Sequence, residues 1–246
     1  MVSKWKIIQI LKKERLIIIV KYILNYKYLK YNNIYMIFDK GFNNIDIVYY
    51  INLDHRTDRL ENINNELNKT NIDKNKINRI AGVYNKEYGF IGCSQSHYNA
   101  LSKFIESDIN NKNCLILEDD FEFTVNQDEI DKMLNYVFNN IHFDILMLSS
   151  NTFESKNTTH SYIDKILNAQ TASGYIVNRR FAKILLNNYQ EGLTLLNKSK
   201  NPPDHAIDIY WKKLQPIFNW YCLNPKIGKQ MENYSDIEKK KVNYKL

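Results

Sequence analysis

Cys114-Leu115-Ile116-Leu117-Glu118-Asp119-Asp120 sets four apolar residues directly against three consecutive carboxylates. The apolar run is short and bounded by polar residues, the pattern of a central strand buried on both faces. Adjoining carboxylates at its end repel one another, and burying them costs several kcal/mol in desolvation. Such a strand end calls for a cation. Hard divalent ions such as Mg2+ or Mn2+ prefer carboxylate oxygens and complete their shell with substrate phosphates. If the strand continues, Glu118 and Asp120 share one face and Asp119 takes the other. The acids alone also suit an exposed turn, so their neighbours decide.

Outward from this segment, strands and helices alternate. Residues 45–51 form a β-branched and aromatic run that predicts a buried strand. It ends in Asn52-Leu53-Asp54, a turn and helix-cap composition, and the following pattern predicts a helix over 57–69. Further strands are expected at 77–81, 143–148 and 174–177, and helices at 94–107, 130–139 and 180–187. This alternation specifies an α/β fold with a mostly parallel central sheet flanked by helices, in which ligands gather at the carboxyl ends of the strands.

Composition narrows the function. Hydrophobic content of 44% and aromatic content of 13% over 246 residues describe a folded chain with a sizeable core. The formal charge of +7 lies wholly in residues 1–45, which carry nine basic and two acidic side chains; the rest is neutral. A basic nucleic-acid-binding body is therefore excluded. Three cysteines without Cys-x-x-Cys spacing exclude a zinc ribbon, and reduced thiols in a cytoplasmic setting are expected. The apolar run 16–24 is interrupted by Lys21 and falls short of the roughly 20 residues of a spanning helix. No small-residue cleavage site follows it, so no secretory signal is expected. Aromatics interleaved with lysines in 1–45 suit either a helix at a membrane surface or one packed on the domain. The expected organisation is an extension over 1–45, a domain over 46–232, and a lysine-rich, disordered tail over 233–246.

Several motifs stand in order along the domain: residues 49–59 (YYINLDHRTDR), 92–97 (GCSQSH), 115–120 (LILEDD), 143–148 (FDILML), 171–177 (TASGYIV) with 180–185 (RFAKIL), and Pro203-Asp204. Together they resemble glycosyltransferase family 25, which includes bacterial lipopolysaccharide β-galactosyltransferases and collagen galactosyltransferases. The resemblance spans roughly residues 46–230. It implies a GT-A fold, a UDP-sugar donor, a divalent metal (Mn2+ or Mg2+) and inversion at the anomeric carbon. It also implies a hydroxyl acceptor on a glycan, lipid-linked saccharide or protein. Two departures stand out: Gln95 replaces a commonly apolar residue, and the segment 82–89 is short.

The resemblance and the residue chemistry together nominate the site. Glu118, Asp120 and Asp204 are candidate metal ligands, with Asp120 foremost. Asn52, Arg56, Arg59, His97 and Asp119 are candidates for holding the donor, since a guanidinium pairs bidentately with diphosphate. His97 equally suits capping or support beside Ser94 and Ser96. Asp204 and Asp208 share a face if one helix begins there, and either could serve as general base, Asp204 first. Asp208 also suits a helix-terminal acid, and Asp144 a structural role. The alternatives are a carboxylate-metal phosphohydrolase and an inactive glycosyltransferase-like binding protein.

Overall fold

A computed structural model describes residues 41–235, 237 and 240–242. The alternatives for residues 1–40 lie outside the described residues. The fold is α/β, as the alternation specifies. Its centre is an eight-stranded sheet of order β2-β1-β3-β8-β5-β9-β7-β6. The strands are β1 (Ile47–Asn52), β2 (Ile77–Ala81), β3 (Asn113–Glu118), β5 (Ile145–Met147), β6 (Asn151–Asn157), β7 (Ile163–Gln170), β8 (Gly174–Asn178) and β9 (Trp220–Leu223). Neighbour pairing is parallel for β2-β1, β1-β3 and β5-β9 and antiparallel elsewhere. Six of the eight strands consequently run one way, with β7 and β8 reversed.

Helices cover both faces. α1 (Thr57–Asn68) and α3 (Gln127–Asn140) bury Ile63, Leu67, Met133 and Leu134 against Val48, Tyr50, Leu115 and Leu117. α2 (Gly89–Glu106) and α4 (Arg179–Ser199) bury Leu101, Phe104, Phe181 and Leu185 against Tyr49, Ile51, Cys114 and Ile116. Alternate residues of β1 and β3 thus feed opposite layers, which is why both strands read as continuous apolar runs. Burying each such side chain contributes about 1.5–3 kcal/mol.

Two expectations need correction. The strand does not continue through the acids: β3 ends at Glu118, and Asp119-Asp120 form a turn. The chain then enters a short strand, β4 (Phe121–Phe123), which pairs antiparallel with β10 (Gly228–Gln230). The tail is not wholly irregular either, because β11 (Asn233–Ser235) pairs antiparallel with β12 (Lys240–Val242).

The turn is anchored from behind. Phe121 is fully buried, and its ring lies against two glycines: a Cβ at Gly174 would come within 2.4 Å of the ring and one at Gly228 within 2.1 Å. The main chain adds Met231 N–H to Asp120 O at 2.7 Å and Glu118 N–H to Ser173 O at 2.8 Å.

Gly228→Ala should therefore lower stability by about 1–3 kcal/mol through overpacking. Phe121→Leu in the same chain should recover part of that loss, making the pair non-additive. Urea denaturation of both singles and the double checks this. Strictly additive losses would rule out the proposed packing constraint.

Candidate functional site

The carboxyl ends of β1, β2 and β3 lie side by side, with Ile51 paired to Glu118 and Asn52 to Ala81. Above them opens a cleft lined by residues of β1, α1, α2, the 82–85 loop and the acid turn, at the carboxyl ends of strands where ligands of open α/β sheets gather. Glu118, Asp119, Asp120, Arg59 and His97 all line it.

The turn after β3 divides the three acids between two sides. Asp119 and Asp120 both turn towards α1, where one nitrogen of Arg59 (Nη1) lies 3.0 Å from Asp119 Oδ1 and 3.0 Å from Asp120 Oδ2. Asp119 and Asp120 are not opposed, as an unbroken strand would have made them. Asn52, on the last residue of β1, donates to Asp119 Oδ2 at 2.8 Å and to Arg56 O at 3.0 Å. It therefore ties the acid turn to the start of α1. Gln230 donates to Asp120 Oδ2 at 3.1 Å across 110 residues of sequence. Asp120 Oδ1 is buried and has no hydrogen-bond partner among the described residues.

Glu118 turns the other way, towards α2. His97 Nε2 lies 3.0 Å from its Oε1, and the Cys93 thiol donates to the same oxygen at 3.7 Å. Behind the ring, His97 Nδ1 is 3.1 Å from the Tyr175 hydroxyl, to which Tyr189 donates at 3.1 Å.

Electrostatics separates the acids further. Burial pushes Asp120 up to about 7, the charge of Glu118 adds to this, and Arg59 only partly offsets it. Burial also raises Asp119, against the pull of Arg59 and Asn52. For Glu118 burial is outweighed by the His97 hydrogen bond and nearby positive charge, and its carboxyl is held below the usual range.

The remaining candidates separate by position. Arg56 is buried, but its guanidinium clasps Asp58 with two contacts of 2.9 and 2.8 Å, and it does not line the cleft. His97 does not open its helix, since α2 begins at Gly89 and His97 sits in its third turn. Nor does Ser96 cap that helix. Its hydroxyl donates to Gly92 O and accepts the Val83 N–H at 2.8 Å, holding the cleft's 82–85 loop. Gly92 allows this closeness, because a Cβ there would meet Val83 O at 2.2 Å.

Asp204 and Asp208 do not share a helix. The backbone turns extended at Ala206 (ψ 151°), splitting the segment into α5 (Pro202–His205) and α6 (Ile207–Tyr210). Asp204 is exposed and accepts from Asn201 at 2.7 Å, apart from the acidic turn. Asp208 is turned inward and accepts the Thr171 N–H at 3.1 Å. Burial and the nearby charge of Glu118 raise it, although it does not line the cleft. Asp144, bound by Arg180 and by the Asn219 N–H, is structural as expected.

Sequence reasoning missed Gln230, Tyr175 and the Val83-Tyr84-Asn85 wall. Gln230 and Tyr175 carry no local signal. Cys93 and His97 did carry one, being four residues apart on a helix.

No protein-family model matches the chain, and no curated protein matches it. Solved structures of related shape include A197 from STIV, at 11% identity and TM-score 0.42, covering 78% of this chain and 87% of that one. The glycosyltransferase GlyE of Streptococcus pneumoniae TIGR4 gives 9% identity and TM-score 0.43, covering 73% of this chain and 45% of that one. A glycosyltransferase involved in glycosylation of the major capsid of PBCV-1 gives 9% and 0.40, covering 74% and 76%.

The Asp120 shift carries a sign. Its folded value of about 7 lies above the usual 3.8, so between those values the folded chain keeps a proton that the unfolded chain has released. Stability must then fall as pH rises across that window. In metal-free protein, raising pH from 4 to 8 should cost the wild type a few kcal/mol more than Asp120→Asn. Thermal melts in chelator would test this, and parallel pH curves for the two proteins would contradict it.

Proposed function

We propose that this chain is a nucleotide-sugar-dependent glycosyltransferase of GT-A type, the reading to which the family 25 resemblance also belongs. One observation carries the proposal: a buried carboxyl oxygen with no hydrogen-bond partner among the described residues, Asp120 Oδ1, in a cleft at the carboxyl ends of parallel strands. A buried carboxyl whose charge burial disfavours, in an acidic turn, fits a divalent cation that would hold it ionised. Asp120 would hold Mn2+ or Mg2+ with Asp119 beside it. When bound, the ion would neutralise charge on the donor diphosphate.

The chain's own groups account for the rest. Arg59 presents its guanidinium at the cleft wall, where diphosphate oxygens accept from it. Asn52 keeps Asp119 turned towards Arg59. Ile51, Leu53 and the 82–85 loop supply an apolar wall for the nucleobase. Asp208 replaces Asp204 as the favoured base, because burial and the charge of Glu118 raise its carboxyl and make it a better proton acceptor than the exposed Asp204. In this scheme it takes the proton of an acceptor hydroxyl as that oxygen attacks the anomeric carbon from the face opposite the leaving group.

The donor sugar is proposed to be galactose or glucose carried on UDP. The acceptor is proposed to be a glycan, lipid-linked saccharide or protein. The domain is taken as 46–232, with 1–45 as an extension contacting either a membrane surface or the domain. Among the described residues no helix is long and apolar enough to cross a membrane.

A screen of nucleotide sugars with Mn2+, reading UDP release and sugar transfer, tests the proposal. Asp120→Asn should reduce turnover to background. Asp208→Asn should lower kcat on the order of 10²–10⁴-fold with donor affinity retained, whereas Asp204→Asn should leave turnover unchanged. Release of orthophosphate without sugar transfer would identify a phosphohydrolase instead. Absence of UDP binding by calorimetry would point to an inactive relative.

A further inference from the structure

We infer that Cys93, His97 and Glu118 form a second, softer metal site selective for Zn2+, distinct from the all-oxygen site at Asp120. Cys93 and His97 stand four residues apart on α2, so their side chains stack on one face. The end of β3 delivers Glu118 between them. His97 Nε2 and Cys93 Sγ lie 3.0 and 3.7 Å from Glu118 Oε1, and the three donor atoms fall within 4.8 Å of one another. Zn2+ binds imidazole nitrogen and carboxylate oxygen near 2.0–2.2 Å and thiolate near 2.3 Å. In a tetrahedron those bonds set ligand atoms about 3.3–3.8 Å apart, so only small adjustments separate this cluster from a Zn2+ shell.

The donor set decides the metal. A thiolate with imidazole suits Zn2+ and repels Mg2+ or Mn2+, which want oxygen. All three residues line the cleft, leaving the fourth position to water or a ligand. Outer support is in place as well: the Tyr175 hydroxyl sits 3.1 Å behind Nδ1 and its ring stacks on the imidazole. Metal-free, the hydrogen bonds are satisfied when Nε2–H donates to Glu118 and Nδ1 accepts from Tyr175.

Uptake must displace protons. Burial, with the charges of Glu118 and Asp208, keeps the Cys93 thiol protonated in the metal-free chain. Binding forms Zn–S, Zn–N and Zn–O bonds and breaks the S–H bond, and that proton leaves to solvent. The ring proton moves from Nε2 to Nδ1, where the Tyr175 oxygen accepts it, and the Tyr175 hydroxyl turns to donate to the Tyr189 oxygen, reversing that hydrogen bond.

The test is spectroscopic and independent of sugar transfer, so its outcome leaves the proposed function untouched. Titrating the full chain with Co2+ should produce a near-ultraviolet thiolate-to-cobalt band, which one equivalent of Zn2+ erases. Cys93→Ser should lose the band, and Cys93→Ala should do the same if serine disturbs packing. Cys114→Ser and Cys222→Ser, the remaining cysteines, should keep it. Tyr175→Phe should weaken Zn2+ binding about 10- to 100-fold. No band in the wild type, or a band surviving in Cys93→Ser and Cys93→Ala, would overturn the inference.

Discussion

Three carboxylates in consecutive positions cannot all remain charged in a buried turn unless something nearby answers them, and Arg59 is the first answer. A single guanidinium nitrogen reaches both Asp119 and Asp120 at 3.0 Å. In a partly desolvated cleft such contacts are worth several times their value in water. One positive charge still cannot balance three negative ones. Glu118 is relieved separately by His97, and Asp119 by Asn52 as well as Arg59. Asp120 is pushed up chiefly by its burial and next by the charge of Glu118, which Arg59 and Gln230 only partly offset.

That balance depends on geometry set by distant parts of the chain. The acid turn is too short to hold its own shape. Phe121, wedged against Gly174 and Gly228, fixes where the turn ends, and the Met231 N–H and Gln230 side chain close over Asp120 from the last part of the domain. The 82–85 loop is drawn in by Ser96 and made possible by Gly92. Core packing and site chemistry are thus linked through three glycines whose missing side chains make room for a ring or a carbonyl.

The sequence was most legible where local pattern and tertiary role agree. β1, β3 and β8 were expected close to where they lie, because strands buried on both faces show uninterrupted apolar runs; β2, also found where expected, is an edge strand with only Ile80 buried. It was least legible in the second half. β7 buries Ile163, Ile166 and Ala169, a spacing of three that imitates a helix, and its partner β6 is largely exposed. α4 runs to Ser199 rather than 187, because Gly192, a helix-weakening residue, is required where the Tyr210 ring packs on the helix backbone. For the site, the acid run and Arg59 were visible from their position after apolar strands. Asp204 was favoured with the Pro203-Asp204 match to the family, and Asp208 was held to suit a helix-terminal acid; the shared helical face expected of the two does not form, because the backbone turns extended at Ala206.

The division of the acidic run has a chemical consequence. Asp119 and Asp120 look towards the guanidinium of Arg59 and the side-chain amides of Asn52 and Gln230, all of them N–H donors. Glu118 looks towards sulfur and imidazole, with Asp208 close enough for its charge to be felt. A strand that continued through residue 120 would have placed Glu118 and Asp120 on one face and merged the two settings. The turn at Asp119 keeps them apart while leaving Glu118 and Asp120 electrostatically joined, since the charge of one still raises the other. Occupation of either side by a cation must therefore relieve the other.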